Sequence, residues 1–138
     1  IIASFCGVFG FSIMFNSTIP MAAIAALIGA VANTFRLELI DFTGMPPAAA
    51  AFIGALSAGL LASEIKKNNG YPRISLTVPS IVIMVPGLYL YRAIYNFGIM
   101  SLTEAVSWFT SAIMIIIMLP LGLIFARILT DRTFRFCT

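Results

Sequence analysis

The stretch from Thr77 to Asn96, TVPSIVIMVPGLYLYRAIYN, constrains this chain more than any other. A helix of about 20 residues, rising ~1.5 Å per residue, crosses the ~30 Å hydrocarbon core of a bilayer. This segment is apolar enough to do so, yet it is not a plain anchor. Pro79 and Pro86 each lack a backbone donor, Gly87 follows Pro86 directly, and Tyr89, Tyr91, Arg92 and Tyr95 gather after the second proline. Irregular backbone at membrane depth is tolerated where it is buried in protein or lines a cavity. The stretch therefore reads as a membrane-embedded helix interrupted at Pro86-Gly87, with a polar half facing a cavity and the other apolar segments packed around it.

Composition supports that solvent. Of 138 residues 61% are hydrophobic and 9% charged, against roughly 25% charged in a soluble domain. The length allows four or five crossings and no separate soluble domain. The chain opens at Ile1 with no charge before Arg36, so we expect the natural polypeptide to begin earlier, or this chain to be the C-terminal part of a longer one. With no histidine and no C-x-x-C, no transition-metal site and no cofactor is expected. Cys6 reads as buried filler and Cys137 as a free tail thiol.

The net charge of +3 does not point to nucleic acid, because no basic patch interleaved with aromatics exists. Lys66, Lys67 and Arg73 sit together, as do Arg127, Arg132 and Arg135, while Arg36 and Arg92 lie apart. Placing the first two groups in the cytoplasm satisfies the positive-inside bias and puts the C-terminus inside.

In order, the expected segments are 1–15, 19–35, 46–63, 76–96 and 103–128, forming one transmembrane domain over 1–138. Pro20 and the pair Pro46-Pro47 suit first helical turns. Ala22, Ala26 and Ala30, with Ala25, Gly29 and Asn33 beside them, make small-residue rows on the second segment. The third carries two such ridges, Ala50, Gly54, Ala58 and Ala62, and Ala51, Ala55 and Gly59. Small residues at that spacing let helices approach closely in lipid, so the third belongs in the middle of the bundle. Arg36 is expected to close the second helix and pair with Glu38 or Asp41 in a loop, and Glu64 to pair with Lys67. The run from Lys66 to Arg73 reads as a basic loop. Pro120 should kink the last helix, whose polar strip is Ser107, Thr110 and Ser111, with Trp108 as an interface anchor.

From Pro79 to Ala93 the chain resembles the threonine/serine exporter family, in particular its short C-terminal membrane module. The pattern is a proline, a hydrophobic run ending in P-G, then a tyrosine: Pro79, Pro86-Gly87 and Tyr91. Phe15, Asn16 and Pro20, and the pair Gly29 and Arg36, are similar too, so the resemblance covers nearly the whole chain. It implies a multi-pass protein of the plasma membrane that exports threonine and serine, or dicarboxylates in two-subunit members, driven by an ion gradient. It also implies a larger partner subunit or an N-terminal half of the same polypeptide.

The residues by themselves support a compatible picture, since half-helix ends in secondary transporters hold the charged groups of substrate or coupling ion. Candidate substrate-binding residues are Pro86, Gly87, Tyr91, Arg92, Tyr95, Asn96, Asn33 and Ser111. The competing reading of Tyr91, Arg92 and Tyr95 is an aromatic belt with a snorkelling arginine.

The expected fold is thus an all-α integral membrane protein, a bundle of about five transmembrane helices with the fourth interrupted at Pro86-Gly87. Its expected partners are the lipid bilayer, the larger exporter half, a small amino or carboxylic acid and further copies of itself. A non-transporting structural subunit of a membrane complex is the alternative. An enzyme is not expected, because there is no histidine, no second carboxylate near Glu64 and no G-x-S-x-G nucleophile.

Overall fold

The structure is a computed structural model that describes residues 1–70 and 72–130, with the backbone alone for residues 67–69. The described residues form six helices, α1 (Ile2–Met14), α2 (Ile19–Thr43), α3 (Pro47–Asn69), α4 (Arg73–Val82), α5 (Gly87–Gly98) and α6 (Leu102–Thr130). Helices α2, α3 and α6, and α4 and α5 taken as one interrupted segment, are long and apolar enough to cross a membrane, and α1 is a shorter apolar helix. The architecture is an all-α bundle of five apolar segments, the fourth broken, as expected.

Two helices are longer than expected, for one shared reason. Charged residues do not stop α2 or α3, because an interfacial Arg, Glu or Lys loses little in a helical backbone. Glycine stops them. Gly44 (φ 62°) and Gly70 (φ 69°) take the left-handed conformation, and their N–H groups donate to Ile40 O at 3.1 Å and Lys66 O at 3.0 Å. Pro46 and Pro72 then follow. The expected basic loop is therefore mostly the last turns of α3, and Glu38 and Asp41 lie on α2 rather than in a loop. Residues two or five apart on a helix do not face each other, so the expected pairing of Arg36 with Glu38 or Asp41 is replaced by a different partner for Arg36, described below.

The break in the fourth segment falls slightly before Pro86-Gly87. A residue preceding proline is disfavoured in the α region, so the helix ends at Val82 and resumes at Gly87. Between them the chain turns tightly, with Met84 N donating to Ile81 O at 2.9 Å and Val85 N to Val82 O at 3.1 Å. Pro79 sits inside α4 and Pro120 inside α6, which runs unbroken to Thr130.

Helix α3 lies between α6 on one side and α2 and α4 on the other, while α5 packs principally on α6. Both small-residue ridges of α3 are buried. A Cβ on Gly59 would lie 2.5 Å from Ala126 Cβ, and one on Gly54 3.0 Å from Arg36 Cβ, so the two ridges face different neighbours. The α2 rows are buried as well, and Gly29 brings that helix against Val8 of α1 and the Ser80 backbone of α4. Cys6 is exposed on α1 rather than buried, for it lies off the face formed by Ser4, Val8 and Ser12. Arg132, Arg135, Cys137 and the side chain of Lys67 lie outside the described residues.

Candidate functional site

The break removes the regular amide partners of the carbonyls around it, and an arginine reaches one of them. Arg36 of α2 donates from Nη1 to Met84 O at 3.4 Å, across 48 residues of sequence. Its Nε is buried and has no hydrogen-bond partner. Space for the arginine comes from Gly54 of α3, where a Cβ would stand 3.0 Å from Arg36 Cβ and 3.3 Å from Met84 Sδ. Arg36 lies seven residues before the end of α2, roughly 10 Å below that end at 1.5 Å per residue. An arginine inside a membrane segment costs several kcal/mol unless it faces the bundle interior or a cavity, and such residues mark transport pathways.

A second polar group lies one turn away on the same face of α2. Asn33, 6% exposed, donates from Nδ2 to Ser4 Oγ of α1 at 2.9 Å, and its Oδ1 is buried without a partner. Lower in the interior, Ser80 of α4 reaches Ala25 O of α2 at 2.9 Å. Ser12 of α1 has a buried Oγ without a partner. The interior shared by α1, α2 and α4 therefore holds a column of polar groups, and at the break beside it the Arg36 guanidinium meets the Met84 carbonyl.

The residues singled out from sequence divide between this interior and the far side of α5. Asn33 is buried in this interior, and Pro86 is buried at the break. Gly87 is exposed, and a side chain added there would meet nothing within 4 Å. Tyr91 and Tyr95 stack on each other at 6.4 Å between centroids on the exposed face of α5. The Arg92 guanidinium rests 4.7 Å above the Trp108 ring, which also meets Tyr89 at 5.5 Å. Asn96 Nδ2 donates back to Arg92 O at 2.8 Å. Ser111 donates to Ser107 O at 3.0 Å and borders a shallow groove of about 180 Å³ between α6 and Pro46, Pro47 and Ala48. These candidates do not converge on one cavity.

Arg36, which meets the break, was not among the candidates read from the sequence. Its signal was present in the pair Gly29 and Arg36, two helical turns apart and hence on one face of α2, the face that Gly29 presses against Ser80. Among the described residues no group of three or more His, Cys, Asp or Glu side chains converges.

No curated protein and no solved structure matches the chain. The family model described as the threonine/serine exporter, ThrE, matches residues 1–129. The chain, with its discontinuous fourth segment and an arginine seated at the break, belongs to the threonine/serine exporter family.

Proposed function

We propose that this chain is the multi-pass membrane module of a secondary exporter of threonine and serine, in which Arg36 holds the substrate carboxylate at the break between α4 and α5. The observation that carries the reading is the Arg36 guanidinium beside Met84 O, with an unpartnered Nε. A carboxylate offers two acceptors in a plane and pairs with a guanidinium by short, charge-assisted bonds, stronger than a single 3.4 Å contact to a carbonyl. Substrate would displace Met84 O, releasing the turn between the half-helices. Occupancy of the site is thereby linked to the geometry of the broken segment, as alternating access requires.

The same interior favours an amino acid over a dicarboxylate. Asn33 Oδ1, an acceptor without a partner, lies one turn from Arg36 and suits an ammonium group. A second carboxylate would meet that acceptor instead of a cation. A larger subunit, or an N-terminal half of the same polypeptide, completes the pathway. The plasma membrane is the site of action, with the end carrying Lys66, Arg73 and Arg127 in the cytoplasm.

The test is threonine efflux from cells preloaded with a threonine-containing dipeptide, with the chain expressed alone and with its larger half. Raised extracellular threonine in either case supports the reading. Efflux equal to that of control cells in both overturns it.

A narrower expectation concerns Arg92. A cation over an aromatic ring at an exposed site contributes about 0.5–1 kcal/mol, and lysine can snorkel in its place. Arg92→Lys should therefore export at a rate near that of the unaltered protein. Loss of export with lysine would return Arg92 to the substrate site.

A further inference from the structure

A cleft away from the break lies between the end of α3, the start of α4 and the Leu123–Arg127 part of α6. It measures about 380 Å³, and its lining includes Lys66, Arg73, Arg127, Leu123, Ile124 and Ile74. That volume falls within the roughly 300–1,000 Å³ of small-molecule sites. We infer that this cleft binds the phosphate of an anionic phospholipid, with Lys66, Arg73 and Arg127 around the headgroup and Leu123, Ile124 and Ile74 along the first part of an acyl chain.

The order of the lining residues along the bundle axis carries the assignment. Lys66 stands three residues before the end of α3 and Arg73 is the first residue of α4, while Arg127 lines the same cleft from α6. Lys66 and Arg73 are thus within about 5 Å of a helix end at 1.5 Å per residue, at headgroup depth. Leu123 and Ile124 lie one turn deeper on α6, level with hydrocarbon. The cleft is basic at its rim and apolar below, in the same order as a phospholipid from headgroup to chain. Ile74 is 74% exposed and Ile124 46% exposed, so the apolar wall opens sideways to lipid rather than closing into a chamber for a water-soluble anion.

Three different helices supply the cations, which a random surface lysine cluster on one helix would not. Arg73 also donates to Gly59 O at 3.4 Å, which holds its side chain against α3 at the cleft. Basic pockets between transmembrane helices at the headgroup level are recognised binders of anionic headgroups.

The experiment uses the whole purified chain in nanodiscs or mild detergent. Thermal unfolding and native mass spectrometry are followed with added phosphatidylglycerol, with phosphatidylcholine, and with inorganic phosphate. Phosphatidylglycerol should raise the unfolding temperature and remain bound in the gas phase, and the other two should not. Each cation near an anionic headgroup contributes roughly fivefold in affinity, so Lys66→Gln with Arg127→Gln should weaken phosphatidylglycerol binding about twentyfold to thirtyfold. Should that variant fail to fold, Lys66→Glu changes an exposed side chain and should give a similar loss by reversing one charge. Equal stabilisation by phosphatidylglycerol and phosphatidylcholine overturns the proposal. So does an unchanged affinity in a folded Lys66→Glu protein. Protection by inorganic phosphate at millimolar concentration would assign the cleft to a soluble anion and overturn the lipid.

Discussion

Arg36→Gln should abolish threonine and serine export while the protein still inserts and accumulates. Hydrogen bonds to a charged group are worth about 1.5–3 kcal/mol each, so losing the guanidinium should weaken carboxylate binding by roughly tenfold to a hundredfold or more. Insertion should not suffer, because an arginine within a span disfavours insertion by about 2.5 kcal/mol and glutamine carries no charge. Arg36→Lys separates a binding role from a structural one. An ammonium can still donate to Met84 O and hold the turn, but it does not reproduce the planar fork that a carboxylate fits. Export should therefore fall with lysine although thermal stability is retained. Normal export by both variants, with only the unfolding temperature lowered, would leave Arg36 as a brace for the break. The measurements are efflux rate per unit of membrane-embedded protein and unfolding temperature in detergent.

Gly122→Leu should prevent α3 and α6 from packing. A Cβ at residue 122 would lie 2.6 Å from Phe52 O, 2.8 Å from Ala55 Cβ and 3.1 Å from Leu56 N. Two of those atoms are backbone of a helix pinned on its other side by α2 and α4, so they cannot step aside as a flexible side chain would. Overpacking typically costs about 1–3 kcal/mol and occasionally more, and here even Gly122→Ala should reach that range. The leucine variant should show low yield and early aggregation on size-exclusion chromatography. Gly10→Leu is the control, since a side chain there meets nothing within 4 Å. Equal stability of Gly122→Leu and Gly10→Leu would mean that α3 and α6 do not lie this close. Gly54 is intermediate, because what it meets, Arg36 and Met84, are side chains that can move.

What the sequence by itself determined is the part of the protein that follows from local pattern. Apolar runs long enough for a bilayer define the segments, and small residues at spacing four identify α3 as the helix with neighbours on two sides, since periodicity of side chains along a helix is a local property. Pro86 also announced an interruption, because proline acts on its own and its preceding residue. Helix ends were read less well. Arg36, Glu38 and Lys66 looked like boundaries, yet the chain stays helical until Gly44 and Gly70, whose left-handed backbone stops it. Only the tertiary structure decided which polar groups meet. Arg36 finds Met84 O from 48 residues away, and Lys66, Arg73 and Arg127 come to one cleft from three helices. Arg92, closer in sequence to the break, faces Trp108 instead. The physical reason is that a side chain's partner depends on the rotation and depth of each helix in the bundle. Those are set by how backbones nest at Gly29, Gly54, Gly59 and Gly122 rather than by the residues next to it in the chain.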